Sequence, residues 1–197
     1  MGVCMYAKAV KDEKISAILA NPPLVWRLLA PEDDAAYLEA IGQNDPPGFL
    51  ARLFGDKRKW PPDIPRFNFS DEECRDLDLD KSWDGINFCL KSILNPEDGL
   101  NIFEDGKNVG TVEVGYAPAK CFTSDDISRI ADRYSHISEA DLRSRFVPDE
   151  MSEVYPTGFW SRNDDDCWEY LSDSFAALKE FLEYAKLHAL GIVIEFT

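Results

Sequence analysis

The stretch that decides the fold is DDDCWEYLSDSFAALKEFLEYAKLHALGIVIEF, residues 164–196. Apolar side chains recur in it at every third or fourth position, as on one face of an amphipathic helix: Trp168, Leu171, Phe175, Leu178, Leu182 and Ala185. This spacing predicts the longest helix of the chain, ended by Gly191. The apolar, β-branched residues 192–196 then predict a closing strand, buried beside the strand that opens the chain.

The other predicted strands are few and lie far apart along the chain. Residues 2–10 are apolar and partly β-branched and predict the opening strand, while 109–116 alternate as a strand does, with 121–122 as an extension. Helical spacing lies between them, as at about 81–93. We therefore predict the α+β class: one helix-rich domain, residues 1–197, around a small mixed sheet that includes the N- and C-terminal strands.

A change of composition marks one long connection. Pro46-Pro47 precedes a helical segment predicted at 49–54. From about 55 to 70 the chain is rich in proline, and its segment DKRKWPPDIP at 56–65 holds the only run of three basic residues. This composition predicts an exposed, basic, Pro-rich loop.

The chain is strongly acidic. Its 37 Asp and Glu residues outnumber its 21 Lys and Arg residues, which gives a formal net charge of −16 at pH 7. Such a charge repels phosphate backbones and anionic lipid headgroups, so we expect neither nucleic acid nor a membrane surface as a partner. It suits either a protein that simply stays soluble or one that attracts a basic protein.

The cysteines and the apolar runs indicate the compartment. The five cysteines are an odd number, and no two are closer than fifteen residues, so the sequence predicts neither a disulfide framework nor a CxxC site. No apolar run approaches the about 18 residues of a membrane span, and the N-terminus lacks the pattern of a secretory signal. We expect a cytoplasmic protein.

The most distinctive motif is LDLDKSWDGINF at residues 77–88. It resembles the acidic-Lys-x-Trp-Asp segment, running into His/Asn-Phe, of the YfbM-like family of functionally uncharacterised bacterial proteins. Further landmarks follow the family's order: MGVCMY at 1–6, Tyr116-Ala117-Pro118, residues 138–146 and Val154-Tyr155-Pro156. The resemblance implies an α+β fold in the cytoplasm. It carries over no catalytic residue, because the family has no established activity.

The candidate binding residues come from this motif. A Trp flanked by charged residues at helical spacing would line a pocket with polar and apolar walls: Asp80, Lys81, Trp83 and Asp84, to which the later landmark adds Tyr155. The alternative is structural. In it, Trp83 fills the core while Asp80 or Asp84 accepts hydrogen bonds from backbone N–H groups and fixes a turn.

Templates for metal and cofactor sites do not fit the sequence. Asp76-x-Asp78-x-Asp80 begins like a calcium loop, but the sixth and twelfth positions, which need Gly and Glu, hold Lys81 and Asn87. No short-spaced pair of Cys or His indicates zinc, and no glycine-rich segment has a phosphate-binding spacing. We predict no metal and no cofactor.

Two functional hypotheses remain. The favoured one is a non-enzymatic binding protein whose acidic surface engages a basic protein, for instance an immunity-type protein that neutralises a basic bacterial toxin. The alternative is a small carboxylate-dependent hydrolase, with or without a metal, whose pocket lies near Asp80, Trp83 and Asp84.

Overall fold

The computed structural model describes residues 2–46, 48, 60, 62–162 and 165–197. Within these residues it has five strands: β1 Met5–Val10, β2 Asp76–Asp80, β3 Lys107–Glu113, β4 Pro118–Phe122 and β5 Gly191–Phe196. The same residues form seven α-helices: α1 Asp12–Ala20, α2 Val25–Leu29, α3 Asp34–Ala40, α4 Ser82–Lys91, α5 Ser124–Ser135, α6 Glu139–Arg143 and α7 Asp165–Leu187. The predicted α+β class is confirmed.

The five strands form one sheet in the order β2-β1-β5-β4-β3. The N- and C-terminal strands pair at its centre, in register from Met5 opposite Phe196 to Val10 opposite Gly191, as the sequence predicted. All four neighbouring pairs are antiparallel, whereas the sequence suggested a mixed sheet. The connections from β1 to β2, from β3 to β4 and from β4 to β5 each return the chain to the end of the sheet from which it left, whereas the connection from β2 to β3 crosses to the opposite end.

Helices cover both faces of the sheet. On the first face, apolar residues of β1 and β5 pack against α4, α5 and α7 in the larger core: Met5, Ala7, Ala9, Ile192 and Ile194. On the second face, Val10 and Val193 pack against α1 and α2 in a smaller core. The alternation of burial along the central strands therefore divides their side chains between two layers of helices.

Some predicted elements differ in extent from those observed. The long C-terminal helix is confirmed as α7, and its buried stripe includes Leu171, Phe175 and Leu178. Residues 121–122 belong to the separate strand β4, because the chain turns back at 114–117 instead of continuing β3. The helix predicted at 49–54 lies outside the described residues, as do residues 55–59 and 61 of the loop predicted at 55–70. The part of that loop at 62–70 has neither helix nor strand.

Strand β2 was not predicted, because Leu77 and Leu79 were expected to lead into the helix that follows. Its sequence Asp-Leu-Asp-Leu-Asp alternates with the period of a strand, and Leu77 and Leu79 are buried while the three aspartates are exposed. It is an edge strand, and the repeated negative charges discourage pairing with another sheet.

A buried ion pair ties α1 to the segment before β2. Lys14 Nζ lies 2.8 and 2.9 Å from the two carboxylate oxygens of Glu73, and both side chains are almost fully buried. The backbone N–H groups of Lys11 and Ser70 also donate to Glu73, at 2.8 and 3.0 Å. Burial disfavours the charged carboxylate, but the hydrogen bonds that it accepts outweigh burial and lower the pKa of Glu73 to about 2.

None of the helices in the described residues combines the length and the apolar character that crossing a bilayer requires.

Candidate functional site

Asp80 ends β2 at a local irregularity of the sheet. The register between β1 and β2 shifts between Met5 and Tyr6, and Asp80 has a positive φ of 44°. A bulge of this kind re-aims a side chain. Here it brings the Asp80 carboxylate to α7, where it accepts a hydrogen bond from the Tyr170 hydroxyl at 3.0 Å.

The Asp80 carboxylate is held in its ionised form. The Cys4 thiol donates to it at 3.2 Å, and this bond, together with that from Tyr170, holds the pKa of Asp80 below its usual value. Burial and the nearby Asp80 carboxylate raise the pKa of Tyr170 to about 12. At neutral pH, the cleft therefore presents a carboxylate beside a protonated phenol.

A cleft of 390 Å³ opens beside this carboxylate, and the residues that line it are Asp80, Lys81, Pro156, Phe159 and Tyr170. The Phe159 and Tyr170 rings meet edge to face, with centroids 5.9 Å apart. Trp160 stacks behind Tyr170 at 5.9 Å and is fully buried, so it holds the aromatic wall in place. The cleft thus has one carboxylate and one ammonium group at an aromatic surface.

Trp83 and Asp84 make the contacts of the structural interpretation. The indole N–H of Trp83 donates to the carbonyl oxygen of Val3 at 3.0 Å, and its ring packs edge to face on Phe196 at 4.9 Å. Asp84 Oδ2 accepts a hydrogen bond from the backbone N–H of Tyr155 at 2.9 Å. These two residues join α4 to the central strands and to the segment that carries the cleft wall.

Tyr155 is held between the N-terminus and that wall. Its hydroxyl accepts a hydrogen bond from the backbone N–H of Val3 at 2.8 Å, and its carbonyl accepts one from the Trp160 indole N–H at 2.8 Å. The Tyr155–Pro156 peptide bond is cis. Gly2 lies so close to the Tyr155 hydroxyl and to Lys81 that a Cβ there would overlap both.

The structure therefore brings all five predicted residues to one end of the sheet, but divides their roles. Asp80 and Lys81 line the cleft, whereas Trp83, Asp84 and Tyr155 hold the surrounding segments together. The aromatic wall was not predicted. Tyr170 follows Asp80 by ninety positions, and no local pattern in the sequence relates two residues so far apart.

Gly85 lets α4 approach the aromatic wall, because a Cβ at this position would lie 2.6 Å from Cζ2 of Trp160. We expect Gly85→Ala to lower the free energy of unfolding by about 2 kcal/mol, since overpacking costs more than the helix gains from alanine. Urea denaturation measures this loss. The cost should shrink in a Trp160→Phe background, and an equal cost in both backgrounds would mean that the contact is not its cause.

Comparisons with known proteins agree on the whole length of the chain. A family model described as "Domain of unknown function (DUF1877)" matches residues 1–194. The crystal structure of YfbM from Escherichia coli, a protein of unknown function, is similar with a TM-score of 0.56 and 14% sequence identity, over 98% of this chain and 99% of that one. At this identity, the likeness concerns the fold alone. Among curated proteins no match was found.

Proposed function

The chain belongs to the DUF1877 family, as its YfbM-like motifs predicted, and on that premise we propose that it is a non-enzymatic binding protein for a basic protein partner. The family supplies a fold without an activity, so the proposal depends on the cleft beside Asp80. Its central support is a carboxylate kept ionised against an aromatic wall. A basic side chain of the partner enters this cleft, as an immunity-type protein would require.

The chemistry of the cleft suits a guanidinium or ammonium group. Asp80 offers a charge-assisted hydrogen bond, and the faces of Phe159 and Tyr170 attract a cation through their ring quadrupoles. Arg162 already shows this behaviour within the chain, because its guanidinium lies 5.0 Å from the centroid of the Phe159 ring. A partner's side chain would make the same kind of contact from the cleft.

The surrounding charge favours the same partner. Asp76 and Asp78 lie exposed on the same strand as Asp80, and Lys81 is the one cation among the described residues that line the cleft. The whole chain carries a formal net charge of −16, which accelerates the approach of a basic protein. This acceleration becomes weaker as the salt concentration rises.

The hydrolase alternative stays a prediction, and the geometry favours binding over it. Among the described residues that line the cleft, Asp80 is the one carboxylate. Asp84 accepts the backbone N–H of Tyr155 instead of facing the cleft together with Asp80. A pair of carboxylates that divides the roles of acid and base therefore does not meet in this cleft.

We also propose the cytoplasm as the compartment. None of the five cysteines, all of which lie within the described residues, forms a disulfide bond, which suits a reducing environment.

The test is the affinity for a peptide rich in arginine and lysine, measured by calorimetry at low and at high salt. Asp80→Asn keeps the shape of the side chain and removes its charge. We expect it to weaken binding by about tenfold, the worth of one charge-assisted hydrogen bond. A peptide with glutamine at every basic position should not bind.

Glu97→Gln is the matched control. It removes one exposed negative charge beyond the C-terminal end of α4, whereas the cleft lies at the N-terminal end of that helix. We expect it to change the affinity by less than about twofold. If both variants weakened binding equally, the peptide would respond only to net charge, and the cleft would have no specific role.

A further inference from the structure

A second cavity, of 360 Å³, opens on the second face of the sheet, away from the aromatic cleft. Its volume lies at the lower end of the range found for small-molecule sites. Its polar lining comes from three adjacent strands, and the end of α2 adds an apolar side: Tyr6, Lys8, Asp76, Asp78, Glu195 and Leu29.

Three of these side chains form a row across the sheet. Tyr6 of β1 lies opposite Asp78 of β2 on one side and opposite Glu195 of β5 on the other. Neighbouring strands are about 4.8 Å apart, so the row places the Asp78 carboxyl group on one side of the Tyr6 ring and the Glu195 carboxyl group on the other. The residues that alternate with them, such as Ala7 and Ile194, face the larger core.

The charges of this cavity do not cancel. Lys8 Nζ lies 2.9 Å from Asp76 Oδ1 and 5.5 Å from the centroid of the Phe69 ring, so its charge is already engaged. Asp78 accepts the backbone N–H of Asp80 through one oxygen. Within the described residues, the carboxyl group of Glu195 has neither a hydrogen bond nor an ion pair, although it is partly buried. An excess of negative charge therefore remains.

We propose that this cavity binds a small organic cation, a primary ammonium or guanidinium compound, with the Glu195 carboxylate as its ionic partner. The Tyr6 ring lies next to that carboxylate and attracts a cation to its face. Leu29 supplies an apolar contact for the hydrocarbon part of the ligand. The inference is separate from the basic-protein proposal, because it uses a different cavity.

The side chains favour an organic cation over a metal ion. Divalent metals in proteins take several oxygen, nitrogen or sulfur ligands that converge on one point. In the part of the chain that the structure describes, no group of three or more His, Cys, Asp and Glu residues is placed to hold one. A single unpaired carboxylate beside an aromatic ring and a leucine matches an alkylammonium group better.

Binding should depend on pH. Burial raises the pKa of Glu195 to about 7, and the groups that face it are Tyr6 and Lys8 from β1, with Asp76 and Asp78 from β2. The Asp78 carboxylate raises the pKa of Tyr6, so the phenol stays neutral in this range. Between about pH 6 and about pH 8 the ionised fraction of Glu195 rises about tenfold, and the affinity for a cation should rise with it.

The test compares n-butylamine, protonated throughout this range, with n-butanol, its neutral counterpart. Amide resonances of the full chain are followed by NMR during each titration. We expect n-butylamine to shift the resonances of Tyr6 and Glu195 and to bind about tenfold more tightly at the higher pH. n-Butanol should not bind measurably.

Glu195→Gln should lose both the affinity and its pH dependence, while Asp80→Asn, in the other cleft, should keep both. A thermal melt confirms that each variant is folded. The proposal is overturned if n-butylamine does not bind, if n-butanol binds as well, or if Glu195→Gln binds as tightly as the natural chain. Failure of this test leaves the basic-protein proposal standing, because that proposal is tested at Asp80.

Discussion

Glu73→Gln should lower the free energy of unfolding by about 3–5 kcal/mol at neutral pH. The substitution leaves the Lys14 ammonium in a position where its side chain is only 5% exposed, with Glu13 at 3.6 Å as its remaining ionic neighbour. An uncompensated buried charge of this kind is among the most costly single changes in a protein.

Urea denaturation measures this loss, with Glu72→Gln as the control. Glu72 is the exposed neighbour of Glu73, and its replacement should cost far less than that of Glu73. The double variant Lys14→Met with Glu73→Leu should recover much of the loss, since it removes both charges together. If Glu73→Gln cost no more than Glu72→Gln, the pair would contribute little to stability.

The same pair should make the protein sensitive to acid. The pKa of Glu73 is about 2 in the folded chain and near 4.5 in the unfolded chain. Because the folded pKa is the lower one, the stabilisation is complete above about pH 4.5 and is lost as the pH falls towards 2. Glu73→Gln should flatten this part of the stability profile.

Glu195→Gln should have the opposite effect on stability: above pH 7 it should raise the free energy of unfolding by up to about 3 kcal/mol. Burial raises the pKa of Glu195 to about 7, against a usual value of 4.5. The folded chain therefore holds the proton more tightly than the unfolded chain. The contribution of Glu195 to stability is therefore most favourable below about pH 4.5 and becomes less favourable as the pH rises to about 7, where folding must bury a charge without a partner.

Unfolding free energies at about pH 5 and about pH 8 test this prediction. The natural chain should lose stability between these values, and Glu195→Gln should lose much less. Glu183→Gln, which removes an exposed carboxylate from α7, should follow the natural chain. If Glu195→Gln lost as much stability between these pH values as the natural chain, a group other than Glu195 would be the cause of the loss.

The sequence predicted the centre of the fold better than its edges. The long apolar stripe of α7 and the β-branched run of β5 are strong local signals, and together with the opening strand they indicated the pairing at the centre of the sheet. Strand β2 was missed because its short alternation runs directly into the Trp-Asp helix α4. The direction of pairing was also not predictable, since it depends on where each long connection returns.

The candidate site was predicted in part for the same physical reason. The motif at 77–88 drew attention to Asp80 and Lys81 because charged residues beside a Trp are a local feature. Phe159 and Tyr170 join them only through the packing of α7 and the 155–160 segment. Glu195 gave no signal either, since a Glu at the end of an apolar strand is ordinary until the fold leaves it without a partner.

The most direct test of the basic-protein proposal is a map of where a basic peptide binds. NMR titration of the full chain with a peptide rich in arginine and lysine should shift the amide resonances of Lys81, Phe159 and Tyr170 first, and these shifts should vanish in Asp80→Asn. Shifts spread evenly over the acidic surface, or shifts that persist in Asp80→Asn, would contradict it.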